Sequence, residues 1–479
     1  MTKTTRIRNG VIQTPTGPLE ADVLIDGERI SALLARDSAV TADTDIDASN
    51  LWVLPGLIDL HAHTREPGYE YKEDFVSSSR AAAVGGYTTY VDMPNVEPPT
   101  TTVELFEQKR VLAAEKCLID WGHFVGPVQF DQIEGFAKAG VTGFKIFQVT
   151  GGYPHDPRLA LDDPGRLYQT FQAIAETGLP CVVHPFAQTL FEYLYEEASA
   201  GGAPRDIHTF SAVYTRDVVW RTAVATLLEL QRDTGVRLQV VHTHAPGSLR
   251  LLREAKAAGV GVTVAADPKY FHLRDVDIKA QGARAIPGGA VTKDADRMAE
   301  IWRSIDDGTI DIIDSDHAPH TLDDLKLMEE DPLIGPFGAP HFDHLLSLML
   351  TDVRNGNIRL ERLVQMLTET PARIIGVYPE KGAVLPGSQA DIVLVDPNKK
   401  VVPRDEEMES KSAWTPYVDW EFTGAPVLTM LRGTVIAKDG NVLGEPGFGR
   451  YIAGRAQNWA PTTPTLHQGL SLEPRQVTA

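Results

Sequence analysis

Two histidines one residue apart, His61 and His63, close an apolar run and are followed by Arg65 and the pair Pro67-Gly68. In a strand, residues i and i+2 face the same side. The two imidazoles therefore project together, well placed to hold one metal ion. Arg65 stays on that side if the strand persists, a fixed guanidinium fork suited to a carboxylate. The bland alternative is a strand end with two surface histidines, and this stretch by itself does not separate the two. More donors recur downstream. Lys145 sits inside Gly143-Phe144-Lys145-Ile146-Phe147, and His184 closes Cys181-Val182-Val183. His242 ends another apolar run, with His244 after it, and Asp316 lies within Asp314-Ser315-Asp316-His317-Ala318-Pro319-His320.

These donors are useful only if one scaffold gathers them. Between about 55 and 320, short apolar runs (53–60, 87–93, 118–125, 141–147, 181–184, 238–242, 260–265 and 310–313) alternate with helix-like stretches such as 75–84, 103–114, 165–176, 212–231, 247–258 and 295–305. Eight strands alternating with helices predict a closed (β/α)8 barrel of the TIM type. An open doubly wound sheet is the alternative. Its dinucleotide-binding version lacks support, because no GxGxxG follows an early strand. In a (β/α)8 barrel the active site lies at the carboxyl ends of the strands. Strands one, four, five, six and eight then bring His61 and His63, Lys145, His184, His242 and Asp316 to one rim. A single strand-end histidine is usually a satisfied core or surface residue; the coincidence over five strands argues for metal.

Lys145 fits the same centre. An ammonium group in an apolar strand beside cations is costly through desolvation and repulsion. As a free amine it can add carbon dioxide and become a carbamate, an anionic oxygen ligand able to bridge two metals. His61, His63 and Asp316 would then hold one ion, His184 and His242 the other, and Lys145 would join them.

The flanks read differently. Residues 5–54 form short strands around the hairpin signal Asp26-Gly27. Segments 392–396, 427–431 and 434–441 are again β-rich, after helical stretches within 343–378. The simplest arrangement joins both chain ends in one small β domain beside the barrel. The 479 residues carry a formal charge of −20, which argues against a nucleic-acid surface. Cys117 and Cys181 lie far apart with no CxxC spacing, so a disulfide framework is not expected and a reducing cytoplasm is. No signal-peptide h-region and no apolar run of membrane-spanning length is present.

Taken together, the 55–68 stretch, Gly85-Gly86-Tyr87-Thr88-Thr89 leading to Met93-Pro94-Asn95, the strand with Lys145, Asp316-His317-Ala318-Pro319-His320 and the 381–396 segment resemble the cyclic amidohydrolases, namely dihydroorotases, allantoinases and hydantoinases. The resemblance runs from about residue 7 to 455. It implies a TIM-type barrel with a small β-sandwich formed from both chain ends. The expected boundaries are 1–54 and 379–454 for the sandwich, 55–378 for the barrel and 455–479 for an extended tail. It implies two divalent ions, zinc being expected, bridged by carboxylated Lys145 and by hydroxide. Asp316 is then the catalytic proton acceptor that passes the proton to the leaving nitrogen. The substrate would be a small cyclic amide, with no nucleic-acid or membrane partner, in a cytoplasmic homo-oligomer, dimer or tetramer.

Within the family, Arg65, Asn95 and His320 match the positions that grip the substrate carboxylate in dihydroorotases. Hydantoinases lack that arginine and carry a tyrosine soon after the bridging lysine. Here Gln148, Val149 and Thr150 follow Phe147, with no tyrosine before Tyr153. The expected reaction is thus reversible hydrolysis of dihydroorotate to N-carbamoyl-aspartate, as in pyrimidine metabolism. The alternatives are allantoinase or hydantoinase (dihydropyrimidinase) chemistry, and a non-catalytic scaffold relative. Several positions depart from the family pattern: Phe186 after His184, His244 after His242, the loop carrying Pro287, Gly288 and Gly289 through Asp294, and the segment 338–342. They leave the metal chemistry intact and alter the substrate pocket.

Overall fold

The computed structural model describes residues 3–151, 154–286 and 295–456. Tyr153, the loop 287–294 and the tail from 457 lie outside the described residues.

Eight parallel strands follow one another in sequence order: Leu57–Ala62, Tyr87–Asp92, Asp120–Val125, Gly143–Phe147, Pro180–His184, Arg237–Val240, Val262–Ala266 and Ile312–Ile313. A parallel bridge between Ala62 and His317, with the His63 N–H donating to the His317 carbonyl at 2.8 Å, joins the last segment to the first. This is a TIM-type barrel. Ile58, Leu60, Val91, Phe124, Val182, Val241, Ala265 and Ile312 fill its interior as one apolar plug. Helices form where the sequence supplies caps. Asp74 accepts from the Ser77 N–H at the start of Phe75–Val84, and Asp163 accepts from the Arg166 N–H before Pro164–Thr177.

Beside the barrel, both chain ends build a β-sandwich. Its seven-stranded sheet runs, in spatial order, Asn441–Val442, Thr434–Lys438, Phe422–Leu431, Ile392–Val401, Trp52–Pro55, Val11–Thr14 and Gly17–Leu19. The facing four-stranded sheet comes wholly from the amino-terminal segment. Ile7, Ile12, Val23, Val53, Ile392 and Leu394 pack between them.

Three local expectations change. The run 53–60 is two strands in two sheets, not one. Trp52–Pro55 pairs in the sandwich and Leu57–Ala62 in the barrel. The chain crosses at Gly56, where a Cβ would lie 2.3 Å from Thr88 Oγ1. The expected helix over 212–231 is two helices, Ile207–Tyr214 and Asp217–Thr234. The final barrel strand is only Ile312–Ile313, so Asp314 to Asp316 belong to a loop.

Between Ile392–Val401 and Phe422–Leu431, the sandwich sends an insert over the barrel's carboxyl rim. There the Trp414 indole N–H donates to the His320 carbonyl at 2.7 Å. No helix among the described residues is long and apolar enough to cross a membrane.

Candidate metal centre

His61 is the penultimate residue of the first strand and His63 follows its end, both buried, with ring centroids 5.3 Å apart. The pairing register to the second strand breaks between Asp59 and Ala62, an irregularity of the kind that re-aims side chains beside active sites. Lys145 lies within the fourth strand, fully buried, with Nζ 3.4 Å from His61 Nε2. His184 ends the fifth strand, its ring 4.5 Å from that of His242. His242 and Asp316 come from loops just past strands six and eight. Both have left-handed backbones, φ +56° and +42°. Non-glycine residues in that region cost on the order of 1–3 kcal/mol each, and such strain clusters at functional sites. Ligand atoms of His61, His242 and Asp316 all lie within 4.8 Å of one another.

The partners of each ring decide which nitrogen faces inward. Asn95 Oδ1 lies 2.8 Å from His63 Nδ1, while its Nδ2 donates to the Pro154 carbonyl at 3.1 Å. An amide oxygen only accepts, so His63 Nδ1 carries the proton and Nε2 presents a lone pair. That lone pair faces Asp316 Oδ1 at 3.2 Å. Asp267 Oδ2, 2.6 Å from His242 Nδ1, fixes the His242 tautomer in the same way. Among the described residues, His184 Nε2 is buried without a hydrogen-bond partner. Two lone pairs facing each other at 3.2 Å repel unless a cation lies between them, so the residues present fit metal ions.

The protonation states agree. Burial holds the His61 and His184 imidazoles well below their usual range, and lowers His63 to about 4. Burial also lowers the Lys145 amine to about 8. Burial alone would raise Asp316, but the Lys269 ammonium and the facing imidazoles outweigh it and hold the carboxyl well below the carboxylate range. The result is neutral imidazoles, an ionised carboxylate and an amine that gives up its proton easily, the states in which these groups bind metal or carbon dioxide.

A cavity opens directly onto these groups. Arg65, Asn95 and His155 give it polar walls, and Phe147, Pro154, Ala318 and Phe337 apolar ones. Of the three residues expected to grip a carboxylate, Arg65 and Asn95 reach this cavity and His320 does not. The strand does not persist to Arg65: it ends at Ala62, and Arg65 has φ +65°. The buried guanidinium gives Nε to the Pro319 carbonyl at 3.0 Å, and Nη2 to His320 Nε2 at 3.0 Å. Lys72 Nζ sits 3.1 Å from the other His320 nitrogen. Glu66, next to Arg65 in the chain, pairs with Lys116 and accepts from the Phe75 N–H. His244 forms a wall behind the site, its ring stacked on Tyr270 and its Nδ1 donating to the His242 carbonyl at 2.9 Å.

Sequence reasoning missed His155, Asp267 and Lys269. The last two follow the seventh strand directly and so share the rim of the other donors; that position was their only signal.

A model of the amidohydrolase family matches residues 52–436. The chain belongs to this family. An L-hydantoinase of Paenarthrobacter aurescens is 32% identical over 457 residues, covering 94% of this chain and 98% of that one. An allantoinase of Deinococcus radiodurans is 33% identical with the same coverage, and a dihydroorotase of Geobacter metallireducens 30% identical over 90% of this chain and 99% of its own. Among solved structures, the L-hydantoinase (dihydropyrimidinase) of Arthrobacter aurescens superposes with a TM-score of 0.90 at 32% identity, covering 95% of this chain and all of that one. This amidohydrolase is a hydrolase of the C–N bond in cyclic amides, with a rim of metal-type donors.

Proposed function

We propose that the chain opens a cyclic amide at a two-ion centre, on rings of the hydantoin type bearing an apolar substituent. His61, His63 and Asp316 would hold one ion and His184 and His242 the other, and Lys145, as its carbamate, would supply an anionic oxygen donor between the two sets. When bound, the ions supply a water acidic enough to lose a proton near neutral pH and a Lewis acid for the ring carbonyl. Asp316 accepts the proton and returns it to the leaving nitrogen. Asn95 holds His63 in its working tautomer, and Asp267 does so for His242. Phe147 and Phe337 flank the ring and exclude water.

The observation that carries the substrate class is the commitment of Arg65. Its Nε and Nη2 go to Pro319 and His320, His320 lies outside the cavity, and Asn95 is spent on His63 and Pro154. The clamp expected for a carboxylate is therefore turned largely inward, while the walls beyond the metal-type donors are, His155 apart, aromatic or aliphatic. A second reading, dihydroorotate, draws on the presence of Arg65 at the cavity wall. A side-by-side assay of 5-benzylhydantoin, hydantoin, allantoin, dihydrouracil and dihydroorotate separates them. Turnover of the substituted hydantoin supports the first reading; turnover of dihydroorotate alone replaces it with the second.

A further inference from the structure

Lys269 has no part in the chemistry above, yet its ammonium group is placed at the centre of the site. The residue opens the short helix Lys269–His272 just past the seventh strand and is 1% exposed. Nζ contacts Asp316 Oδ2 and lies 3.5 Å from Asp267 Oδ2. The other oxygen of Asp316, Oδ1, faces His61 Nε2 at 3.4 Å and His63 Nε2 at 3.2 Å. The two oxygens thus have separate duties, and Lys269 imposes the division. It does not line the cavity, so it stands behind Asp316 and does not touch a ring in front of it. Asp267, its second contact, is the residue that orients His242.

We propose that Lys269 is a positioning residue that claims Oδ2 of Asp316, leaving Oδ1 as the one oxygen turned to the ion held by His61 and His63. The reasoning is geometric. Asp316 sits in the loop after a two-residue strand, with φ +42°, so it is held by its side-chain partners and not by strand pairing. A carboxylate free to rotate can chelate an ion through both oxygens. An ammonium anchored on the neighbouring strand end prevents this, and through Asp267 it couples the orientation of Asp316 to that of His242. Partners of this kind around metal ligands alter affinity or activity by about 10–100-fold when removed.

This inference rests on the two-ion reading, and the test keeps the two apart. The full chain is loaded with cobalt(II), and its metal content, visible absorption spectrum and turnover of 5-benzylhydantoin (or dihydroorotate, if that is the ring the wild type opens) are measured. The same is done for Lys269→Met, Lys269→Gln and Lys269→Arg. The expected result is unchanged cobalt content, with a displaced spectrum in the two uncharged variants. Their kcat falls about 10–100-fold at nearly unchanged KM, and Lys269→Arg restores both spectrum and kcat in part. Should Lys269→Met not fold, Lys269→Gln reads the same effect. A wild type that loads cobalt and turns over, beside uncharged variants identical to it in spectrum and kcat, overturns the role of Lys269 alone. Loss of cobalt from both uncharged variants makes Lys269 a structural prop and also overturns it. A wild type that takes up no cobalt overturns the two-ion reading, and the role of Lys269 falls with it.

Discussion

Two buried clusters of charge lie at different places in this molecule, and they are built on opposite principles. Where barrel meets sandwich, Lys381 Nζ sits 2.7 Å from Asp120 Oδ2 and 2.5 Å from an Asp391 oxygen. Arg432 completes the group, its guanidinium on Asp120 Oδ1 and its backbone N–H donating to Asp391 Oδ1 at 2.9 Å. Two acids meet two bases, and opposite charges face each other throughout. At the carboxyl rim the pattern is reversed. Imidazoles face one another, an amine faces an imidazole nitrogen, and a carboxylate oxygen faces a histidine lone pair. The first arrangement satisfies itself and fastens the fold. The second is a set of metal-type donors converging on one place. Burial is common to both clusters; what marks the functional one is that its metal-type donors face one another, with Lys269 on Asp316 Oδ2 as the opposite charge behind them.

Substitutions can break this contrast at either end. The largest effect is expected at Asp316. In Asp316→Asn the rim loses its proton acceptor, and kcat should fall by about 10³-fold or more while metal content, measured by elemental analysis, stays near that of the wild type. A variant that keeps ordinary turnover would remove Asp316 from the mechanism. Next comes Lys381→Met, which leaves two buried acids, Asp120 and Asp391, to one base, Arg432. Removing one partner of a buried ion group costs about 3–5 kcal/mol, so the urea midpoint should drop sharply while kcat of the folded fraction holds. A kcat loss without a stability loss would show the two clusters to be coupled.

A third joint sharpens the comparison through pH. Asp343 lies near the last barrel segment and accepts from the Glu409 N–H of the sandwich insert at 2.7 Å. Burial, reinforced by Glu73, raises its carboxyl from 3.8 to about 7. The folded chain therefore holds a proton there that the unfolded chain has released. Stability falls as pH rises from about 4 to about 7, and this group adds nothing further above that. Asp343→Asn should lift that loss, on the order of 2 kcal/mol at pH 8 and little at pH 4. Equal melting shifts at both pH values would show that the group does not titrate in this window. The smallest effect belongs to the cavity wall. His155→Ala should raise KM about 10-fold through one lost hydrogen bond, with kcat and metal content nearly unchanged. An unaltered KM would place the substrate elsewhere.

Much of the framework is legible in the sequence, because period and position carry it. Apolar runs alternating with helices predict the barrel. The rule that chemistry sits at strand carboxyl ends then collects His61, His63, Lys145, His184, His242 and Asp316 on one rim. What eludes sequence reasoning is set by sheet membership and side-chain partners. Nothing in 53–60 marks Gly56 as the crossing between two sheets, since both halves are equally apolar. Arg65 looks like an outward anchor only while the strand is assumed to continue; its left-handed backbone turns the fork toward Pro319 and His320. Asn95 matches a substrate-binding position, but its amide orients His63. Asp267 and Lys269 matter through what they touch, and a sequence does not display contacts.

The central claim is that this rim holds two divalent ions, and elemental analysis of the purified full-length chain tests it most directly. The expected result is close to two ions per chain in protein that opens a ring. Ring-opening protein that contains no divalent metal would contradict it.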